Sequence, residues 1–241
     1  MKYHFLILAF NEEELLKKTY TELYEEIVNE NIQDFQITIV NDGSLDRTSE
    51  VAYEIKTENN VNINIIENKK NIGVANSVKN FIKSHEDGKL FLISGDNDLN
   101  QQMVKDLISA SKKADFVLSS YLNREKKGRF RAFLSTLYNL IMCTIFDVYV
   151  FYLQGPSVWP IKQVKQIDIS AKGIAYASEV NIKLLYSGLK FTEIAGNCNT
   201  GSVKSTAVKF SSFIDIFKTL ITLIYEMKIK KKFNKKSTRV Y

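Results

Sequence analysis

The sequence predicts an α/β fold, a mostly parallel central sheet flanked by helices, with an amphipathic helix near the C-terminus. Three observations carry this expectation. Apolar runs of strand length alternate with stretches whose apolar residues recur at helical spacing. The connections between them are short, as in successive βαβ units. Three polar clusters, Asn11-Glu12, Asn41-Asp42 and Asp96-Asn97-Asp98, each follow directly on an apolar run. Ligands of parallel α/β sheets bind beyond the carboxyl ends of the strands, so these clusters are expected to form one site.

The elements follow in order. Tyr3–Ala9 is an apolar strand. Asn11 is expected to cap the next helix, with Glu14 three residues on and Leu15, Leu16, Leu23 and Ile27 continuing the stripe. Residues 36–40 form a second strand, broken by Asn41-Asp42-Gly43-Ser44 and followed by a helix over 46–57. A third strand at 61–66, a loop at 68–73 and a helix at 74–84 come next. The strand beginning at Leu90 ends in the acidic cluster, and a helix at 101–113 leads to a fifth strand at 115–119. Residues 132–153 are apolar, with Asp147 the one charge. Their length would permit a membrane span, but Asp147 and the polar Ser135, Thr136, Asn139 and Thr144 favour an amphipathic or core helix and then a short strand. A helix at 178–187, a strand at 189–194 and a polar loop at 196–206 follow. Residues 210–227 make an amphipathic helix that runs into a Lys-rich tail.

At 241 residues, with 45% hydrophobic and 25% charged residues, the chain can bury a sizeable core and is not disordered. Its net charge of +6 is unevenly spread: acidic residues dominate up to Ser120 and basic ones from Tyr121 onward. That asymmetry suggests a basic surface facing phosphate or anionic lipid. The basic tail lacks an interleaved aromatic–basic pattern, so a nucleic-acid partner is not expected. Cys143 and Cys198 have no metal-type spacing and form no disulfide framework, which fits a reducing cytosol. The run at 5–10 is too short for a signal peptide.

Asp96 and Asp98, with the amide oxygen of Asn100, supply oxygen ligands of the kind a hard divalent cation prefers. Four segments in order then resemble glycosyltransferase family 2, whose fold is called GT-A. They are Ala9-Phe10-Asn11-Glu12, with Leu8 where proline is usual; Val40-Asn41-Asp42-Gly43-Ser44; Asn71-Ile72-Gly73-Val74; and Gly95-Asp96-Asn97-Asp98-Leu99-Asn100. The resemblance implies a nucleotide-sugar pocket lined by Ala9, Phe10, Glu12, Asn41, Asp42, Asn71, Gly73, Asp96 and Asn97. It also implies Mg²⁺ or Mn²⁺ held by Asp98 and Asn100, with Asp96 beside the metal, ribose or sugar, and inversion at the anomeric carbon.

The second half most resembles the polyprenyl-phosphate (dolichol-phosphate) sugar transferases. Arg131, Ser135 and Asn139 match an Arg-x-x-x-Ser-x-x-x-Asn pattern, whose spacing places them on one helical face. Gln154-Gly155 resembles that group's glycine segment, Glu179 its acidic residue facing the acceptor, and Lys204 the lysine of its Gly-x-Ser-Lys loop. Tyr121 and Cys198 stand where that group has arginine, so Arg124, Arg129 or Lys204 is left to take over their role. The expected acceptor site is thus Arg129, Arg131, Ser135, Gln154 and Lys204, with Asp98, Arg131 and Glu179 catalytic. The expected organisation is one GT-A domain at 1–206, its nucleotide-sugar half at 1–120 and acceptor half at 121–206, followed by a helix and basic tail at 207–241. Two acceptors remain open: a polyprenyl phosphate at the cytosolic membrane face, contacted through 210–241, or a sugar hydroxyl in capsule, lipopolysaccharide or glycoprotein glycan assembly. Glu179 or Asp147 would be the base for the hydroxyl. The oligomeric state is left open.

Overall fold

The computed structural model describes residues 1–59, 61–199 and 210–241, the side chains of 210–213 excepted. The chain runs β1 (Tyr3–Ala9), α1 (Leu16–Asn29), β2 (Phe35–Asn41), α2 (Thr48–Glu58), β3 (Ile63–Glu67), α3 (Val74–Lys83), β4 (Lys89–Ser94), α4 (Gln101–Ser111) and β5 (Phe116–Tyr121). A 3₁₀ turn, Arg124–Lys127, leads into α5 (Arg129–Phe146), β6 (Val158–Pro160), α6 (Ile161–Val164), α7 (Tyr176–Leu185) and β7 (Lys190–Gly196). Then come α8 (Phe210–Ile224), a π-helical turn at Tyr225–Ile229 and β8 (Thr238–Arg239).

One eight-stranded sheet results, in the order β3-β2-β1-β4-β6-β5-β7-β8. All neighbouring pairs are parallel except those of β6, which runs antiparallel between β4 and β5. Helices cover both faces, and alternate residues divide between two cores. Phe5, Ile7, Ile37, Ile39, Phe91 and Ile93 pack with α1, α2 and α4, while Leu6, Val40, Leu90 and Leu92 pack with α3, α5, α7 and α8. Trp159, fully buried, donates its indole N–H to Asn181 Oδ1 at 2.7 Å and so belongs to the second core.

The pairing register positions the site. Ala9 lies opposite Asn41, Asn41 opposite Glu67, and Leu8 opposite Ser94, so the first four strands end level with one another. The loops after them emerge side by side.

Three local expectations change. Asn11 does not cap α1, which begins at Leu16. It is left-handed (φ 56°), its N–H donates to Ser44 Oγ at 2.9 Å, and its Oδ1 accepts from the Leu45 N–H at 2.8 Å. Its amide is thus used to join two loops rather than to start a helix. The apolar stretch at 132–153 is a helix broken at Asp147, as expected: α5 stops where Asp147 turns left-handed (φ 50°, ψ 49°), and among the described residues no helix is long and apolar enough to cross a membrane; the short strand expected after it does not form over 148–153. The Lys-rich tail ends against the sheet, where β8 pairs with β7 and Arg239 lies 2.5 Å from Glu193.

Candidate functional site

The loop after β1 is laced to the loop after β2. Glu12 N–H donates to Thr48 Oγ1 at 2.8 Å, Glu13 N–H to Asp46 Oδ2 at 3.2 Å, and Arg47 N–H to Glu13 Oε2 at 2.8 Å. Gly43 (φ 72°) permits the loop after β3 to pass close by, because a Cβ there would fall 2.6 Å from Asn71 N. Asp42 then binds that loop. Its Oδ1 accepts from Ile72 N–H at 2.9 Å and Asn68 Nδ2 at 2.8 Å, and its Oδ2 from Gly73 N–H at 2.8 Å. Asn41, also buried, donates to Glu67 Oε2 at 2.7 Å and accepts from Ser44 N–H. These two side chains, both expected to line the nucleotide-sugar pocket, are therefore engaged within the protein. Of the other residues expected there, Phe10 and Asn71 are exposed.

Acidic groups converge where β1 and β4 end. Burial, then the nearby carboxylates of Asp96 and Asp46, push the pKa of Glu12 up to about 7. Asp96 is half-buried and accepts the Asp98 N–H on Oδ1 at 3.2 Å. Asp98 is buried; its Oδ2 accepts from Tyr121 Oη at 2.6 Å and Lys127 Nζ at 2.5 Å. Burial, then Asp98, push the Tyr121 phenol well above its usual pKa, so it remains a donor. The second oxygen, Asp98 Oδ1, is buried with no partner among the described residues. Such an oxygen seeks a cation or a donor. Together with the half-exposed Asp96 it fits a hard divalent ion. Asn100 does not join them: its Oδ1 accepts from Met103 N–H at 2.8 Å, capping α4. Asn97, left-handed (φ 54°), is buried, and its carbonyl accepts from Asn199 Nδ2 at 2.9 Å. A cleft of about 420 Å³ at Glu26, Asn29, Glu30, Gln101, Gln102 and Lys105 shares no residue with this cluster.

Facing Asp98 is the basic segment after β5. Arg124 stacks its guanidinium 4.6 Å from the centroid of the Tyr152 ring, and its Nη1 is buried with no partner among the described residues. Arg129 is exposed and Arg131 half-buried at the start of α5. Ser135 donates to Ala132 O at 3.0 Å. Asn139 is spent on the neighbouring loop, its Oδ1 accepting from Leu153 N–H at 2.9 Å. Gln154 is half-buried and donates to Ile174 O at 3.4 Å. Lys204 lies outside the described residues.

Glu179 is placed differently from the acceptor-facing expectation. It is fully buried, accepting from Ser170 N–H, Ser170 Oγ and Ala171 N–H within 3.0 Å and pairing with Lys183 at 2.8 Å. Lys183 also lies 2.6 Å from Glu226, fastening the turn after α8 to α7. This carboxylate has no free face to offer a substrate. Asp147, the other candidate base, is exposed and paired with Lys236. Sequence reasoning missed Lys127 and Asn68. The charge of Lys127 was legible within the basic loop, but its partner lay across the sheet.

A mostly parallel sheet whose aligned strand ends carry an acidic cluster beside a Gly-tightened polar loop defines the GT-A class of nucleotide-sugar-binding folds. Residues 5–159 match the model of glycosyl transferase family 2, and the chain belongs to that family of sugar-transferring enzymes. It is 30% identical over 150 residues to a dolichyl-phosphate beta-glucosyltransferase of Trichomonas vaginalis, an alignment covering 57% of this chain and 45% of that protein. The chain thus spans less than half the length of that relative. In fold it is similar to glucosyl-3-phosphoglycerate synthase from Mycobacterium tuberculosis, solved with Mn²⁺, UDP-glucose and phosphoglyceric acid (TM-score 0.66, 12% identity, 92% of this chain and 79% of that one). Mannosyl-3-phosphoglycerate synthase from Rubrobacter xylanophilus is likewise similar (TM-score 0.66, 14% identity, 96% and 75%). So is S. aureus TarS, solved with UDP-GlcNAc (TM-score 0.62, 16% identity, 93% and 67%).

Proposed function

We propose that this chain transfers a sugar from a nucleoside diphosphate sugar to a polyprenyl phosphate, in one inverting displacement at the cytosolic face of a membrane. The observation that carries this reading is the apposition of the acidic cluster Glu12, Asp96 and Asp98 to the basic segment Arg124–Arg131, joined through Tyr121 and Lys127. The match to a dolichyl-phosphate glucosyltransferase supports the acceptor class.

Phe10, Glu12, Asn71 and Gly73 line the donor pocket, with Asp42 holding the Ile72–Gly73 backbone in place. Asp98, through the Oδ1 that has no partner among the described residues, and Asp96 would hold Mg²⁺ or Mn²⁺, which would supply neutralisation of the charge developing on a departing diphosphate. The acceptor phosphate is already ionised near neutral pH, so it attacks without a strong base. Arg124, whose buried Nη1 has no partner among the described residues, and Arg131 and Arg129 would orient it, with Ser135 one turn further along α5. Transfer to a sugar hydroxyl instead would require a base, and Glu179 is enclosed.

A membrane surface suits the helices. The α5 residues Phe130, Phe133, Leu137, Leu140 and Ile141 form an exposed stripe, and Ile214, Phe217, Ile221 and Tyr225 form another along α8 and the turn after it. Exposed Arg129, Lys218, Lys228 and Lys230 accompany them, as on helices that lie in an anionic interface. The test is a transfer screen with labelled nucleotide sugars and Mn²⁺, with and without a short-chain polyprenyl phosphate. The reading requires transfer to the lipid phosphate that falls about a hundredfold in Arg131→Ala. Transfer to a glycan hydroxyl with indifference to the lipid phosphate would replace it by the alternative.

A further inference from the structure

Asp98 already has a cation beside it. Lys127 Nζ lies 2.5 Å from Oδ2, the oxygen that also accepts the Tyr121 hydroxyl at 2.6 Å. The same ammonium sits 4.5 Å from the centroid of the Tyr121 ring. Carboxylate, phenol and ring face thus form a seat for one positive charge. The two partners differ in freedom: the Lys127 side chain is 25% exposed, that of Asp98 10%. Lys127 ends a short 3₁₀ turn, and Gly128 after it takes φ 108°. A flexible side chain on a surface turn can leave for solvent, whereas the carboxylate on the strand-end loop cannot follow.

We propose that Lys127 is the resident cation of this seat. It satisfies Asp98 before a divalent ion binds, competes with that ion for the charge of the Asp98 carboxylate, and on release becomes a positioning residue for the donor diphosphate. The proposal rests on the donor-site reading above. Its consequence is thermodynamic coupling. A divalent ion arriving alone displaces Lys127 and leaves it unpaired. One arriving with a diphosphate leaves Lys127 a new anionic partner. Metal therefore binds weakly alone and more tightly with nucleotide, and by reciprocity nucleotide does the same with metal.

The measurement is Mn²⁺ binding, by calorimetry or by the electron paramagnetic resonance of free Mn²⁺, with and without UDP. It compares the wild-type chain with Lys127→Met, Lys127→Arg and Asp98→Asn. Lys127→Met is expected to bind Mn²⁺ alone about tenfold tighter and to lose about tenfold of the enhancement by UDP, while Lys127→Arg keeps the coupling. Near-ultraviolet circular dichroism confirms that each variant is folded. If wild-type binding of Mn²⁺ does not depend on Asp98, the donor-site reading fails and this inference falls with it. If binding depends on Asp98 while Lys127→Met changes neither affinity nor coupling, the role of Lys127 alone is overturned.

Discussion

The two halves of this molecule differ in what they leave exposed. Before Ser120, polar groups of the strand-end loops are bonded within the protein: Asn11 to Ser44 and Leu45, Asp42 to the Ile72 and Gly73 backbone, Asn41 to Glu67, while Asp98 Oδ1 has no partner among the described residues. After Tyr121, Arg124 keeps a buried N–H with no partner among the described residues, and α5 and α8 each leave an apolar stripe in solvent. On the proposed reading, the donor loops are held by these bonds before any ligand arrives, as a site that must align a diphosphate requires. The proposed acceptor side leaves Arg129 and the two apolar stripes exposed, so its binding geometry would be completed by what docks there. The seam between them is the Asp98–Tyr121–Lys127 contact.

The comparison is broken most directly at Asp98. Asp98→Ala should reduce sugar transfer about a thousandfold with little loss of thermal stability, as kinetics and a melting curve on one preparation would show. An active, metal-independent variant would end the donor assignment. Glu179→Gln sharpens the other side. It leaves Lys183, wholly buried, with Glu226 as its remaining carboxylate, and should cost about 3 kcal/mol in denaturant unfolding while kcat of the folded fraction changes less than about threefold. A large fall in kcat at unchanged stability would return Glu179 to the chemistry. Phe133→Asp with Phe217→Asp should reduce co-sedimentation with anionic vesicles about tenfold and spare nucleotide binding, because both residues are exposed. Equal loss with neutral and anionic vesicles would separate apolar insertion from charge attraction.

The smallest effect concerns Glu12. Its folded-state pKa, about 7, stands above its ordinary 4.5, so the folded protein disfavours the charged form. The stability associated with its proton is full below about pH 4.5 and is lost as pH rises through 7. For this half-buried group, after solvent screening, that amounts to about 1 kcal/mol. Glu12→Gln should flatten stability across that window by this amount, read from unfolding curves at several pH values.

Much of the strand-end loop cluster was legible because its signals are local. Apolar runs of strand length placed the strands, and Asn41-Asp42-Gly43-Ser44 and Asp96-Asn97-Asp98 fell at their ends. The roles of individual side chains were less legible. Asn100 read as a metal ligand and caps α4; Asn11 read as a cap and ties two loops; Glu179 read as acceptor-facing and is enclosed. Each of these side chains suits both tasks, and the backbone it meets decides between them. The basic tail gave no sign of β8, since two residues next to a run of lysines carry no strand pattern until β7 offers an open edge.

The sequence alone determined the alternation of strands and helices, the placing of polar clusters at strand ends, and the division into an acidic and a basic half. These follow from periodicity and composition, which are properties of neighbouring residues. The tertiary structure alone decided which charges meet. Asp98 and Lys127, or Glu193 and Arg239, are brought together by strand pairing and by the chain's return to the sheet. Whether a carboxylate is free to hold a metal or already held by a lysine depends on those long-range pairings, which no local pattern encodes.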